Sequence, residues 1–304
     1  MIGFLLKRMF WMAVTLWIVY TVSFFLMASV PGGPLDAERQ LEPHTREAWE
    51  ERYNLDLPLF EQYLVQLGNA VQGDFGYCYK LDLEVSDVIA QGFPVSASLG
   101  ILAMFFAMSL GLTAGIISAV RRQSVIDFTF MLVATIGVAI PNFVVAGICI
   151  ILFVFLLPIF PAAGWGELIY IVLPAFCLGA PYAAYIARLV RTGMLDVINQ
   201  DYIRTAYAKG LTARKVILKH AIKGAMLPVV SFLGPAIAGI LTGSVIVEQI
   251  FNVPGMGIHF VKSALQRDLT LAMGLVMVYT TLLYTMNLIV DISYSVLDPR
   301  VKLE

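Results

Sequence analysis

The chain has 304 residues, 59% hydrophobic and 13% charged, with a mean hydropathy of +0.82. A soluble domain averages roughly 45–50% apolar and about 25% charged, so this composition excludes an ordinary water-soluble enzyme; it equally excludes a disordered chain, which needs low hydrophobicity and high charge. A net charge of −1 gives no reason to expect a nucleic-acid partner, and Cys78, Cys149 and Cys177 form no CxxC, indicating neither a disulfide framework nor a zinc site.

A helix needs about 20 apolar residues to cross the roughly 30 Å hydrocarbon core of a bilayer. Met9–Val30 is such a run, preceded by Lys7 and Arg8 and stopped by Pro31-Gly32-Gly33-Pro34; its length reads as an uncleaved anchor, not a secretory signal. Residues 31–94 follow, with 12 acidic and 4 basic side chains. Within them Arg46–Asn54 and Leu59–Val71 read as short amphipathic helices flanking Pro58, the second with Leu64, Leu67 and Val71 at helical spacing. They form either a helical cap or a docking surface for a partner outside the membrane. Val95–Val120 is the second span, ended by Arg121-Arg122. Phe128–Phe160 carries no charge, and Pro141 and Pro158 predict one helix that starts early and finishes near Pro158. Leu168–Val190, Leu227–Ile250 and Leu271–Val290 complete six spans of an all-α polytopic membrane protein.

The distribution of Lys and Arg sets the orientation. With the N-terminus in the cytoplasm, 14 of the 20 basic residues fall inside. Acidic residues split 6 inside and 15 outside, so the two sides carry +8 and −9. The expected topology is N-in, C-in.

The cytoplasmic segment 191–226 is the most informative. Asp201 to Gly210 reads as a helix whose C-terminal cap is Gly210, because glycine tolerates the left-handed conformation there. Thr212 suits the N-cap of a second helix. On that helix Lys215, Lys219 and Lys223 form a basic stripe, while Ala213, Val216, Ile217, His220, Ala221 and Gly224 form another face. Ala206 and Gly210 lie one turn apart, leaving room for a second backbone. Such a unit lies against something, either anionic lipid or a protein partner.

No phosphate-binding loop G-x-x-x-x-G-K-[ST] occurs, and neither H-E-x-x-H nor G-x-S-x-G is present. His44, His220 and His259 sit in separate segments. The apolar runs hold almost no ionisable groups, with Arg188, Glu248 and Asp291 near span ends. A self-powered carrier usually needs charges at mid-membrane. GxxxG spacing at Gly111/Gly115 and Gly239/Gly243 allows close helix packing.

Residues 204–210, Arg-Thr-Ala-Tyr-Ala-Lys-Gly, resemble the EAA loop of the membrane subunits of binding-protein-dependent ABC importers, Glu-Ala-Ala, three residues, then Gly. Arg204 stands at the glutamate position. That departure is similar to the dipeptide/oligopeptide/nickel permease branch, with R-T-A-x-A-K-G-L and H-A-x(3)-A-x-x-P; this chain has Arg204 to Leu211 and His220 to Pro228 in those places. Other landmarks of the branch are Arg8, Gly73-Asp-Phe-Gly76, Phe93-Pro-Val-Ser96 entering the second span, Gly243 to Glu248, Phe251, Pro254-Gly-Met-Gly257 and Asp298-Pro-Arg300.

The resemblance implies a type I ABC importer permease fold. Residues 95–304 would form the importer core, and 1–94 an N-terminal addition. Arg204, Thr205, Ala206, Lys209, Gly210, Leu211, Lys215 and Lys219 would couple to a separate ATPase subunit. Ser231, Thr242, Ser244 and Glu248 are candidates for the translocation path or outer gate, with Tyr182 and Tyr185 beside them. Expected partners are a homologous second permease, two ATPase subunits and an extracytoplasmic solute-binding protein, in a lipid bilayer. The chain itself would carry no cofactor and no catalytic residue, ATP and Mg being held on the ATPases. The implied cargo is di- or oligopeptides, with nickel, glutathione or antimicrobial peptides as alternatives. A stand-alone secondary carrier or channel is the reading from a different class.

Overall fold

The computed structural model describes residues 2–30, 55–79 and 81–297. The predicted Arg46–Asn54 helix and Asp298-Pro-Arg300 lie outside them. Backbone polar groups in hydrocarbon must be satisfied within the segment, which favours helices. Among the described residues the only extended pairing is an isolated Tyr77–Glu84 bridge. The helices are α1 (Ile2–Ala28), α2 (Leu59–Val71), α3 (Val85–Val120), α4 (Val125–Ala139), α5 (Asn142–Ile150), α6 (Leu168–Ile198) and α7 (Asp201–Ala208). Then come α8 (Ala213–Lys215), α9 (Ile222–Ala225), α10 (Leu227–Leu241), α11 (Val245–Ile250), α12 (Met256–Gln266) and α13 (Leu269–Leu297). Two π-helical stretches, Ile151–Leu156 and Val216–Ala221, extend α5 and join α8 to α9.

The centre of the molecule is the pair α3 and α6. Lipid tails are as apolar as leucine, so helices in a bilayer associate through close van der Waals approach at small residues. Gly111 and Gly115 provide it: a Cβ on either would stand 2.7 Å from the Ala183 carbonyl oxygen or 2.6 Å from that of Ala187. Gly179 of α6 presses in the same way on Ala103 of α3. These contacts advance in the same direction along both helices, so α3 and α6 run parallel and α4–α5 is the return between them. The expected GxxxG packing thus holds at Gly111/Gly115. At Gly239 a Cβ would meet only the Tyr182 hydroxyl, 3.8 Å away, so the second GxxxG makes no close helix contact through that residue.

α10 lies antiparallel to α3, with Gly100 against the Ile240 carbonyl at 2.9 Å from a built Cβ. α13 packs on α10 where Gly234 meets Asn287. α1 attaches along α13 through the Tyr284–Thr15 hydroxyl pair (2.6 Å) and an Arg8–Asp291 ion pair. The latter gives Asp291, near a predicted span end, a partner. The helices leave two ends. One gathers 72–84, 157–167 and 251–268; the other gathers 121–124, 199–226, Arg8 and Asp291.

Among the described residues five helices are long and apolar enough to cross a membrane, and the bent pair α4 and α5 with its π extension makes six if it counts as one span. Three sequence expectations need correction. The third apolar run is not one helix: Ile140 adopts φ −83°, ψ 127°, and the chain bends by 110° between the two limbs. Pro141 lacks an N–H and its ring pushes the preceding residue out of the helical region. At 1.5 Å per residue the 15-residue α4 is about 22 Å long, short of the core thickness. The second long helix begins at Val85, not Val95, so Phe93-Pro-Val-Ser96 is helix interior and 94/95 lies within one continuous element. α2 exists as predicted, but its packed face is Tyr63, Leu67 and Ala70 against Tyr20, Phe24 and Met273. Leu64 and Val71 are exposed.

Gly115→Leu tests the central pair. Forcing a side chain into that seam costs roughly 1–3 kcal/mol. The expected result is a lowered melting temperature of the purified protein with membrane insertion intact. An unchanged melting temperature would contradict the close approach.

Candidate coupling foot and carboxylate nodes

α6 continues past the predicted span end at Val190 to Ile198, carrying the 199–226 segment away from the bundle as a foot. α7 follows the Asn199-Gln200 turn and ends at Lys209. Gly210 then takes φ +78°. Its N–H bonds the Tyr207 carbonyl (2.9 Å) and the Leu211 N–H bonds the Ala206 carbonyl (3.3 Å). This is the pairing of a glycine-terminated helix, with Leu211 folding back over Ala206. A Cβ on Gly210 would meet nothing within 4 Å, so the turn is an open tip.

The foot sorts its predicted residues into two groups. Arg204, Thr205, Lys209, Lys215 and Lys219 are exposed. Arg204 makes a 3.6 Å pair with Asp201, and the Thr205 hydroxyl donates to the Asp201 carbonyl at 2.9 Å. Ala206 is buried beside Ile203, Val216, Ala221 and Ala225 of this same chain. Within this chain Ala206 therefore packs into the foot's own interior. Thr212 occupies the N-cap position of α8, but its side chain makes no capping bond. In the following stretch Val216 and Ala221 are buried, while Ala213, expected on the same face, is exposed. The wider π turn redistributes that face.

A node that composition did not reveal joins three helices of the bundle beside the foot. Arg191 of α6 donates bidentately to Asp127 of α4, Nε to Oδ1 at 2.7 Å and the second guanidinium nitrogen to Oδ2 at 2.8 Å. The Ser118 hydroxyl of α3 and the Gln123 N–H (2.9 Å) also donate to this carboxylate. Three helices therefore meet on one buried carboxylate, with α4 capped by Ser124. A bidentate arginine–carboxylate pair adds geometric specificity as well as energy. Sequence held a signal, an acid one turn into a helix after a basic loop, but spacing alone does not pair it with a residue 64 positions away.

At the opposite end a second carboxylate is enclosed. Glu248 is fully buried. The Ser96 hydroxyl of α3 donates to its Oε1 (2.7 Å) and accepts from the Met256 N–H (2.8 Å). Gly243, Gly255 and Gly257 surround the group: a Cβ on Gly255 would lie 2.5 Å from its carboxyl carbon, and one on Gly257 2.9 Å from Oε2. The glycines of the 243–257 landmarks are thus explained by a carboxylate that leaves no space beside it. Of the other path candidates, Ser231 donates to the Leu227 carbonyl (3.0 Å) and Thr242 to those of Ala238 and Gly239 (both 3.1 Å), each within its own helix. Ser244 caps α11 by accepting from the Val247 N–H at 3.4 Å. Ser244 lies one turn before Glu248, whose N–H donates to the Ser244 carbonyl at 2.8 Å. Tyr185 and Phe232 do meet, ring centroids 4.4 Å apart, with Tyr182 6.1 Å from Phe232. A third buried acid, Asp268, accepts from the N–H groups of Tyr79 (2.9 Å) and Leu271 (3.0 Å) and ties the 76–79 loop to α13.

Removing one partner of a buried pair leaves an uncompensated charge, and for Asp127→Ala the expected loss is roughly 3 kcal/mol. Thermal unfolding of the purified variant checks this. Stability equal to that of the unsubstituted protein would show that the node does not hold the three helices together.

Comparison with known proteins agrees with this architecture. A family model described as binding-protein-dependent transport system inner membrane component matches residues 111–303. The oligopeptide transport system permease protein OppB of Haemophilus influenzae is 43% identical over 305 residues, covering 99% of this chain and 100% of that protein. The dipeptide transport system permease protein DppB of Bacillus subtilis is also 43% identical, covering 100% of this chain and 99% of its own length. Among solved structures, the MetNI methionine ABC transporter in an inward-facing form superimposes with a TM-score of 0.57 at 18% identity, over 69% of this chain and 96% of that one, which shows a shared fold. The chain belongs to the binding-protein-dependent transport system inner membrane component family.

Proposed function

We propose that this chain is a permease subunit of an ATP-driven ABC importer of di- or oligopeptides. The observation that carries the reading is 43% identity along the full length to permeases named for oligopeptides and dipeptides. It is a transport subunit and not an enzyme; hydrolysis of ATP with Mg falls to separate ATPase subunits. A homologous second permease completes the path, and an extracytoplasmic solute-binding protein delivers cargo.

The foot is the ATPase-coupling element. Gly210 offers an open tip, and Arg204, Lys209, Lys215 and Lys219 present positive charge around it. Ala206 and Leu211 shape the tip from inside. The foot end is cytoplasmic, as the positive-inside bias indicates. Arg8 and Asp291 lie at that same end, which supports both termini being cytoplasmic and six crossings in a bacterial inner membrane, with α4–α5 as the bent third. In this arrangement 95–304 acts as the transport core and 1–94 as its N-terminal addition. The Glu248 cradle then belongs to the outer gate, where its glycines hold the 243–257 segment closed on α3. Ser231 lies on the helix leading from foot to gate, with Thr242 and Ser244 at the turn that follows it, and the exposed Tyr185 beside Phe232 marks a face for the second permease or the path. ATP closing the ATPase pair would move the feet and shift the population between inward and outward forms.

The test uses the complete importer in proteoliposomes. Gly210→Glu places a charged side chain at the tip in a backbone conformation that costs about 1 kcal/mol for a residue with a Cβ. The expected result is loss of ATP-stimulated peptide uptake, with insertion retained. Lys209→Cys, exposed where Ala206 is not, should crosslink to an ATPase subunit. Normal uptake by Gly210→Glu together with no crosslink from Lys209→Cys would contradict the coupling assignment.

A further inference from the structure

We infer that the groove between the 121–124 turn and the π-helical stretch of the foot binds an anionic phospholipid, its phosphate on Arg121 and Arg214 and an acyl chain along the apolar wall. The groove encloses about 890 Å³ between the ends of α3 and α4 on one side and 214–218 on the other. Val120, Val125, Ile126, Ile217 and Leu218 line it. Val125 is 81% exposed and Leu218 55%, so the wall presents large apolar side chains with no protein cover. Contiguous exposed apolar surface of this kind marks an interaction site. The wall begins where two apolar helices end, so it continues the bilayer-facing surface to headgroup depth.

The mouth carries the opposite chemistry. Arg121 and Arg214 both line it, and among the described residues neither has a carboxylate within ion-pair distance. Asp127, the acid nearest in sequence to Arg121, is already taken by Arg191. The Arg121 backbone is fixed: its N–H bonds the Ile117 carbonyl (2.9 Å), and its carbonyl accepts the Ser124 hydroxyl (2.5 Å) and N–H (3.2 Å). Guanidinium groups match a phosphodiester bidentately. A zwitterionic lipid fills the wall, but its phosphate already carries its own ammonium as counter-charge and leaves the two arginines in excess; an acidic soluble protein pairs the arginines and leaves the wall wet. A lipid with net negative charge satisfies both most fully, as basic pockets between membrane helices do for lipid headgroups. The inference goes beyond the importer reading and needs only that this end of the bundle lies at a leaflet.

Cys78, Cys149 and Cys177 are buried, and burial together with the Asp268 charge pushes the Cys78 thiol up to about 12. A Leu218→Cys label is therefore selective. The protein is labelled there with a fluorophore, then assembled with its partner subunits and placed in nanodiscs of equal phosphatidylglycerol and phosphatidylcholine. One lipid at a time carries brominated chains. The expected occupancy ratio is on the order of tenfold in favour of phosphatidylglycerol, falling towards one in Arg121→Gln/Arg214→Gln and largely restored in Arg121→Lys/Arg214→Lys. Melting temperatures of the variants confirm that each is folded. Equal quenching by both lipids in the labelled protein with both arginines intact, a preference that survives the double Gln substitution, or no quenching because a protein subunit covers the label would each overturn the assignment.

Discussion

Two parallel helices pressed together at glycine are the constraint on which the rest of this molecule depends. Where Gly111 and Gly115 meet the carbonyls of Ala183 and Ala187, no side chain fits. In lipid that closeness is itself the source of association, since hydrocarbon gives no hydrophobic reward for helix contact. Once α3 and α6 are parallel, the chain between them has to return. It does so through a helix broken at Ile140-Pro141 and held at its start by the Asp127–Arg191 pair. The foot is then a direct prolongation of α6. Gly193 adds to this: the space where its Cβ would stand, 2.8 Å from the Ala225 carbonyl oxygen, lets the far side of the foot pack closely on the same helix.

The three enclosed carboxylates divide the structural work. Asp127 joins α3, α4 and α6 at the foot end. Glu248 joins α3 to the 243–257 segment, and Asp268 joins the 76–79 loop to α13, both at the opposite end. None sits at mid-helix in a spanning element. Their charges fix loops and helix ends; no chain of ionisable groups runs between them among the described residues. This distribution fits a conduit moved by other subunits better than a carrier with its own proton or sodium relay.

The sequence carried five long apolar helices, because apolar length is what a bilayer selects, and it carried the Gly210 turn, because only a few residue types tolerate φ near +78°. It misplaced features set by tertiary packing. The start of α3 at Val85 is hidden since Ser86, Asp87 and Gln91 are polar, yet the helix projects beyond the apolar zone. The packed face of α2 is rotated towards Tyr63 because α1 offers it an aromatic cluster of Tyr20, Phe24 and Phe25. Ala206 looked like an open contact and is a core residue, since the foot folds on itself before it meets anything else. The Asp127–Arg191 and Ser96–Glu248 pairings span 64 and 152 positions, and no local periodicity reports them.

If the foot is locked to the bundle in this way, movement imposed on it is transmitted whole. Spin labels at Arg122→Cys and Thr212→Cys report the distance across the lock in the complete importer, with and without ATP. A distance distribution that stays the same in both states, while the separation between the two permease subunits changes, is the predicted result. A shift within the single chain as large as that between the subunits would contradict it.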